Sequence, residues 1–208
     1  MMRRWQSPAR MVQSVFSIKR WLAQTPTVEE ARPARCPCCG VASRPMGQPL
    51  NLHGHGKRER QVRGPLEGGG APKLVVVLLR RYLGRSCQAT LTVGPLGLVA
   101  HRLFSIAALG LALCLWGCQQ QPAAQVRAQV NPLSCVGDDA VRGWRQLGRW
   151  AQALREGRLL GGLMPGVPPA AGRAVAERAA AALAARCPAW MCGAPLPNQV
   201  FAGGALGT

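Results

Sequence analysis

Acidic side chains are scarce in this sequence. Eight Asp and Glu stand against 26 Lys and Arg in 208 residues, a formal charge of +18. A centre that holds two Mg²⁺ with three separated carboxylates therefore has little to draw on. The acids are Glu29, Glu30, Glu59, Glu67, Asp138, Asp139, Glu156 and Glu177, and most fall in charged loops or at expected helix ends. Histidine is scarcer still. His53, His55 and His101 give neither a serine nor a cysteine nucleophile a persuasive base. There is no Gly-rich phosphate loop followed by Lys. The chain is read as a non-enzyme, with no catalytic residue assigned.

Two further features are lacking. Met1 to Arg10 has no apolar core with a small-residue cleavage site, so no signal peptide is expected and the setting is read as cytoplasmic. No apolar run reaches the roughly 18 residues that span a bilayer. The longest, Leu103 to Cys118 (LFSIAALGLALCLWGC), predicts a buried core helix. The rival reading is a membrane-associated protein anchored through residues 103–118, with Cys118 as a lipid-bearing residue.

What is abundant is arginine. Its planar fork donates two parallel hydrogen bonds, which suits phosphate. The charge excess points to an anionic partner, read as nucleic acid, DNA in particular, ahead of a membrane surface. A GC-rich coding sequence also enriches Arg, Ala, Gly and Pro, and this competes with the functional reading. Nine cysteines, an odd number, do not fall into the spacing of a secreted disulfide scaffold. In a reducing compartment, clustered Cys points to metal.

Along the chain, residues 11–24 (MVQSVFSIKRWLAQ) predict an amphipathic helix ended by Pro26, and 25–35 a linker. Residues 49–65 read as a polar loop rich in Gly and His. Lys73 to Tyr82 (KLVVVLLRRY) predicts a strand, and Ala89 to Val93 (ATLTV) its return. After about residue 96 the pattern turns helical. A Gln/Ala/Pro break follows the apolar helix, then a helix over 139–156 capped by Asp138 or Asp139. Trp144 and Trp150 sit among its apolar positions and are read as core. A last helix covers 173–187, and 188–208 reads as a flexible tail.

Cys36-Pro37-Cys38-Cys39-Gly40 contains a Cys-x-x-Cys pair followed by Gly, a spacing that lets one turn offer two thiolates to one Zn²⁺. A tetrahedral site needs a second pair, expected in the turn between the two strands, where Cys87 stands. Its partner would fall at position 84, which is Gly84. Cys38, His53 or His55 could supply the fourth ligand; otherwise these are free thiols in a ribbon without metal.

The segments SVFSIKRWLA (14–23), ARPARCPCCG (31–40), PLNLHGHGKRERQVRGPL (49–66), KLVVVLLRRY (73–82) and LTVGPLG (91–97) resemble an uncharacterised bacterial family, the transposase-associated zinc-ribbon domain of insertion-sequence transposase-like proteins. The resemblance covers roughly residues 14–160. It implies DNA association, with a transposase as a possible partner, and places Cys36, Cys39 and Cys87 at ligand positions for Zn²⁺. The second Cys-x-x-Cys of that pattern is degenerate here, with Gly84 at one ligand position.

The expected fold class is α+β. An N-terminal helix and linker (1–30) precede a small zinc-ribbon-like β-hairpin domain (31–96). An all-α, helix-turn-helix-like region (97–187) and the tail follow. Arg142, Arg145 and Arg149 share one face of the 139–156 helix and lead the candidates for DNA contact. Lys57, Arg58, Arg60 and Arg63 in the ribbon loop, and Arg80, Arg81 and Arg85 near the strand end, form two further clusters. A third reading, besides the DNA-binding protein and the anchored one, is a non-functional gene remnant.

Overall fold

A computed structural model describes residues 10–134, 144–163 and 171–207. The fold is mixed α+β: a four-stranded sheet and a set of helices. The chain divides into two compact units. One comprises the described residues up to 61 together with 76–101, the other 62–75 together with those from 102 onward.

The sheet has strands β1 (Arg10–Gln13), β2 (Leu52–Gly64), β3 (Lys73–Gly84) and β4 (Thr90–Gly94), in the order β1-β4-β3-β2, and the first unit holds β1, β4, residues 52–61 of β2 and residues 76–84 of β3. The expected pair of strands is present: β3 runs antiparallel to β4, with Tyr82 opposite Leu91. β4 buries alternate residues, Leu91 and Val93, as a strand with one covered face should. Tyr82 and Trp21 complete this core. The Tyr82 hydroxyl donates to the Val28 carbonyl at 2.7 Å, and the Trp21 indole N–H to the Leu78 carbonyl at 2.9 Å. Both large rings are thus buried without leaving a polar atom unpaired.

Two expectations for this unit are corrected. The helix predicted over 11–24 shortens to α1 (Ile18–Ala23), and Arg10–Gln13 instead forms β1, parallel to β4 with Met11 opposite Thr92. The apolar residues of that stretch satisfy either period. The free edge of β4 takes the first of them as a strand, and the Ser17 side chain caps the helix by accepting from the Arg20 N–H at 3.3 Å. The polar loop expected at 49–65 is largely β2. Residues 54–59 are exposed on both faces, so no apolar alternation marks them.

The second unit contains α2 (Ile106–Gly117), α3 (Ala123–Val130), α4 (Gln146–Arg155), α5 (Gly172–Ala184), a 3₁₀ turn (Ala189–Met191) and α6 (Leu196–Ala205). α2 is the apolar segment, and it is buried against α3, α5 and α6. Among the described residues, no helix is long and apolar enough to cross a membrane. The Ser105 hydroxyl caps α2 through the Ala108 N–H at 3.1 Å. At the other end the Arg173 guanidinium donates to the carbonyls of Trp116 and Gln121, and lies 5.3 Å from the Trp116 ring centroid.

Close helix approach explains the small residues here. A Cβ on Gly117 would sit 2.7 Å from the Glu177 backbone nitrogen, and one on Gly203 would overlap the Leu183 carbonyl oxygen. Trp144 and Trp150 pack edge-on with Phe104, centroids 5.2 to 5.9 Å apart, and Trp150 is fully buried. α3 lies where the sequence reads as a break, so α2 and α4 are not joined by a short turn. The expected cap at Asp138 and Asp139 and the candidate Arg142 lie outside the described residues. The stretch expected as a flexible tail carries the 3₁₀ turn and α6, with Val200 and Phe201 buried.

Candidate metal centre

Two tight turns of the first unit bring three thiols together. In the turn at 36–41, the Cys36 N–H donates to the Val41 carbonyl at 2.9 Å and the Gly40 N–H to the Cys36 carbonyl at 2.8 Å. Gly40 takes a φ of +74°, which a glycine adopts without a Cβ clash. The turn at 84–89 closes between β3 and β4. There the Gly84 N–H donates to the Ala89 carbonyl at 3.0 Å and the Gln88 N–H to the Gly84 carbonyl at 2.8 Å.

Asn51 ties the turns to each other. Its N–H donates to the Ser43 carbonyl at 2.9 Å, beside the first turn. Its carbonyl accepts from the Arg85 N–H at 2.8 Å, and its side-chain Oδ1 accepts from the Ser86 N–H and hydroxyl.

The resulting cluster is Cys36, Cys39 and Cys87, whose sulfurs all lie within 4.8 Å of one another. Cys36 and Cys87 are 3.7 Å apart. Cys36 is buried, Cys87 half-buried and Cys39 exposed. Each sulfur accepts from the backbone just beyond it: Cys36 from the N–H groups of Cys39 and Cys38, Cys39 from Val41 and Cys87 from Ala89. Such bonds spread the charge of a thiolate over the backbone.

Burial pushes the Cys36 thiol up, but the N–H groups of Cys39 and Cys38 and the two neighbouring thiols outweigh it, so its pKa lies below the ordinary value. At Cys39 the Val41 N–H pulls down, while burial and the neighbouring sulfurs of Cys36 and Cys87 win and raise the pKa. Burial, reinforced by Cys36, raises Cys87. These opposed directions are those of neighbouring thiols that share charge. An all-sulfur donor set fits a soft or borderline ion.

Comparison with family models, curated proteins and solved structures finds no match to this chain.

The other sequence candidates fall differently. Cys38 is exposed, His53 half-buried and His55 exposed, and none of them joins the three-thiol cluster. The His53 Nε2 is buried with no hydrogen-bond partner among the described residues. Of the cationic candidates, Arg60 is half-buried and donates to the Val99 carbonyl and, at 2.7 Å, to the Met11 sulfur. Burial lowers its pKa, with the nearby Arg58 adding to the effect. Arg80 donates to the Pro26 carbonyl at 2.7 Å. Arg63 is half-buried, with an Nε that has no partner among the described residues, and Arg81 is half-buried opposite Thr92.

Lys57, Arg58 and Arg85 are exposed in the first unit, and Arg145 and Arg149 in the second. The resolved ion pairs use Arg32 and Arg44 on Glu29 and Arg158 on Glu156. Three of the carboxylates have other partners: Glu29 those two arginines, Glu30 Thr27, and Glu156 Gln152 and Arg158.

Asn51 was not singled out by sequence reasoning, whereas Gln88 stands where the resembled pattern has the Gly after its second Cys-x-x-Cys. Gln88 follows Cys87 as Gly40 follows Cys39 and takes the same left-handed conformation, φ +55°. That offset was the available signal, and it is weak because glutamine rarely occupies that region.

Proposed function

We propose that this chain is a zinc-containing DNA-binding protein with no catalytic centre of its own, working beside a transposase of the insertion-sequence kind. The observation that carries the reading is the convergence of Cys36, Cys39 and Cys87 from two turns far apart in sequence. Zn²⁺ suits it because this ion takes thiolates tetrahedrally and brings no redox chemistry. Bound there, it would fasten the two turns that flank the strand end. A reducing cytoplasm keeps such thiols available.

The DNA part rests on charge. Lys57, Arg58, Arg85, Arg145 and Arg149 are exposed on a chain of net charge +18, free to release counterions on meeting phosphate. Arg60 and Arg80 are better assigned to holding the first unit together, through the carbonyls they bind.

The test is a fluorescence-anisotropy titration of labelled duplex DNA across a range of salt. Arg145→Gln with Arg149→Gln should reduce the slope of log affinity against log salt by about two, one for each lost phosphate contact. A slope that stays the same removes these two residues from the interface. The absence of any affinity in dilute buffer removes the DNA reading altogether.

A further inference from the structure

Two further thiols stand together in the second unit. The Cys187 and Cys192 sulfurs lie 3.9 Å apart, close to van der Waals contact. Cys187 comes just after α5, and Cys192 just after the 3₁₀ turn. Backbone turns hold the pair in place. The Cys187 N–H donates to the Ala184 carbonyl at 2.9 Å, the Met191 N–H to the Pro188 carbonyl at 2.8 Å and the Cys192 N–H to the Ala189 carbonyl at 3.2 Å. α6 grips the same segment, because the Gln199 amide donates to the Cys192 carbonyl at 2.9 Å and to the Ala194 carbonyl at 2.7 Å. Pro188 stiffens the chain between the two thiols.

Thiol exchange needs a thiolate that forms and a sulfur that can be reached. Cys114 has neither: it is buried beside Cys118, and burial pushes its pKa up to about 12. Cys36 is buried in the metal cluster. At the end of α5 neither thiol is buried, with Cys192 exposed and Cys187 half-buried.

We propose that Cys187 and Cys192 form a thiol–disulfide exchange site, closed to a disulfide by a low-molecular-weight disulfide such as glutathione disulfide. The exposed Cys192, as thiolate, attacks one sulfur of the small disulfide, forms a mixed disulfide and releases one thiolate. The Cys187 thiolate then attacks the Cys192 sulfur and releases the second. Two electrons pass from the pair to the small disulfide, and the two protein thiol protons end on the two released thiols. The new bond joins the end of α5 to the segment that Gln199 holds. The step is independent of any metal at Cys36, Cys39 and Cys87.

The experiment uses the full chain, reduced and then freed of reductant. It is equilibrated with mixtures of reduced and oxidised glutathione, quenched in acid, alkylated and digested with trypsin. Cleavage after Arg186 yields the peptide 187–208, which carries both thiols and no other cysteine. As oxidised glutathione rises, mass spectrometry should show this peptide losing both alkylation sites together, with the mass of two hydrogens gone. In urea, which removes the turns, half closure should need about tenfold more oxidised glutathione, since the folded chain presents the sulfurs to each other.

A peptide that stays doubly alkylated in every mixture overturns the proposal. So does one that accumulates only bound glutathione, or only links to other cysteines. Equal closure with and without urea also overturns it, because the turns would then contribute nothing.

Discussion

If Cys36, Cys39 and Cys87 hold a metal as proposed, withdrawing it should lower the stability of the first unit by about 4 kcal/mol, when the free ion had stood near a thousand times its dissociation constant. The second unit is unaffected. The reason lies in how the first unit is joined. Its thiols come from a turn near residue 36 and another near residue 87, with Asn51 as the other bridge between them. A metal bound to all three sulfurs favours only the folded arrangement, since the unfolded chain scatters them.

Hydrogen exchange read by mass spectrometry separates the units. Protection should fall in the strands β3 and β4 and in the turns at 36–41 and 84–89, and remain in α2 and α5. Cys36→Ser in the presence of zinc should reproduce the pattern of the chelated parent. Equal losses in both units, or no loss on chelation, would show that the thiols hold nothing structural.

The second large effect belongs to the helical unit. Gly203→Ala should destabilise it by about 4 kcal/mol or more, at the severe end for a single substitution. A methyl there overlaps the Leu183 carbonyl oxygen, an atom of the α5 backbone that cannot rotate away. Relief requires α6 to lift from α5 and α2, opening the contact that buries Val200 and Phe201.

Gly148 in α4 is the control. No atom lies within 4 Å of its Cβ position and its φ is not positive, so Gly148→Ala should stabilise by about 0.5–1 kcal/mol through helix propensity alone. Urea unfolding followed by circular dichroism measures both. Equal, small changes in the two variants would mean that α6 does not pack as described.

These contrasts show why some elements could be read from the residues and others could not. β3 and β4 carry β-branched and alternating apolar residues, and α2 an unbroken apolar run, so packing and local pattern agree. β2 was missed because its middle, Gly54 to Glu59, is exposed on both faces and leaves no period to detect. β1 was mistaken for helix because Met11 and Val12 fit either periodicity, and only the distant edge of β4 decides between them. α6 was missed because Pro197, Gly203 and Gly204 argue against a helix, whereas the glycines are what let it approach α5 and α2.

At the site, Cys36, Cys39 and Cys87 announced themselves by spacing. The clamp by Asn51 did not, because it joins positions 51 and 86, which no local pattern connects. The cationic set narrowed for a similar reason: whether an arginine faces solvent or a buried carbonyl, as Arg60 and Arg80 do, depends on contacts made by chain far from it.

The most direct test is the zinc content of the full chain, purified with a phosphine reductant and measured by inductively coupled plasma mass spectrometry. About one zinc per chain is expected, kept by Cys187→Ser with Cys192→Ser and lost in Cys36→Ser. A chain that holds no zinc, or one that keeps it without Cys36, would contradict the account.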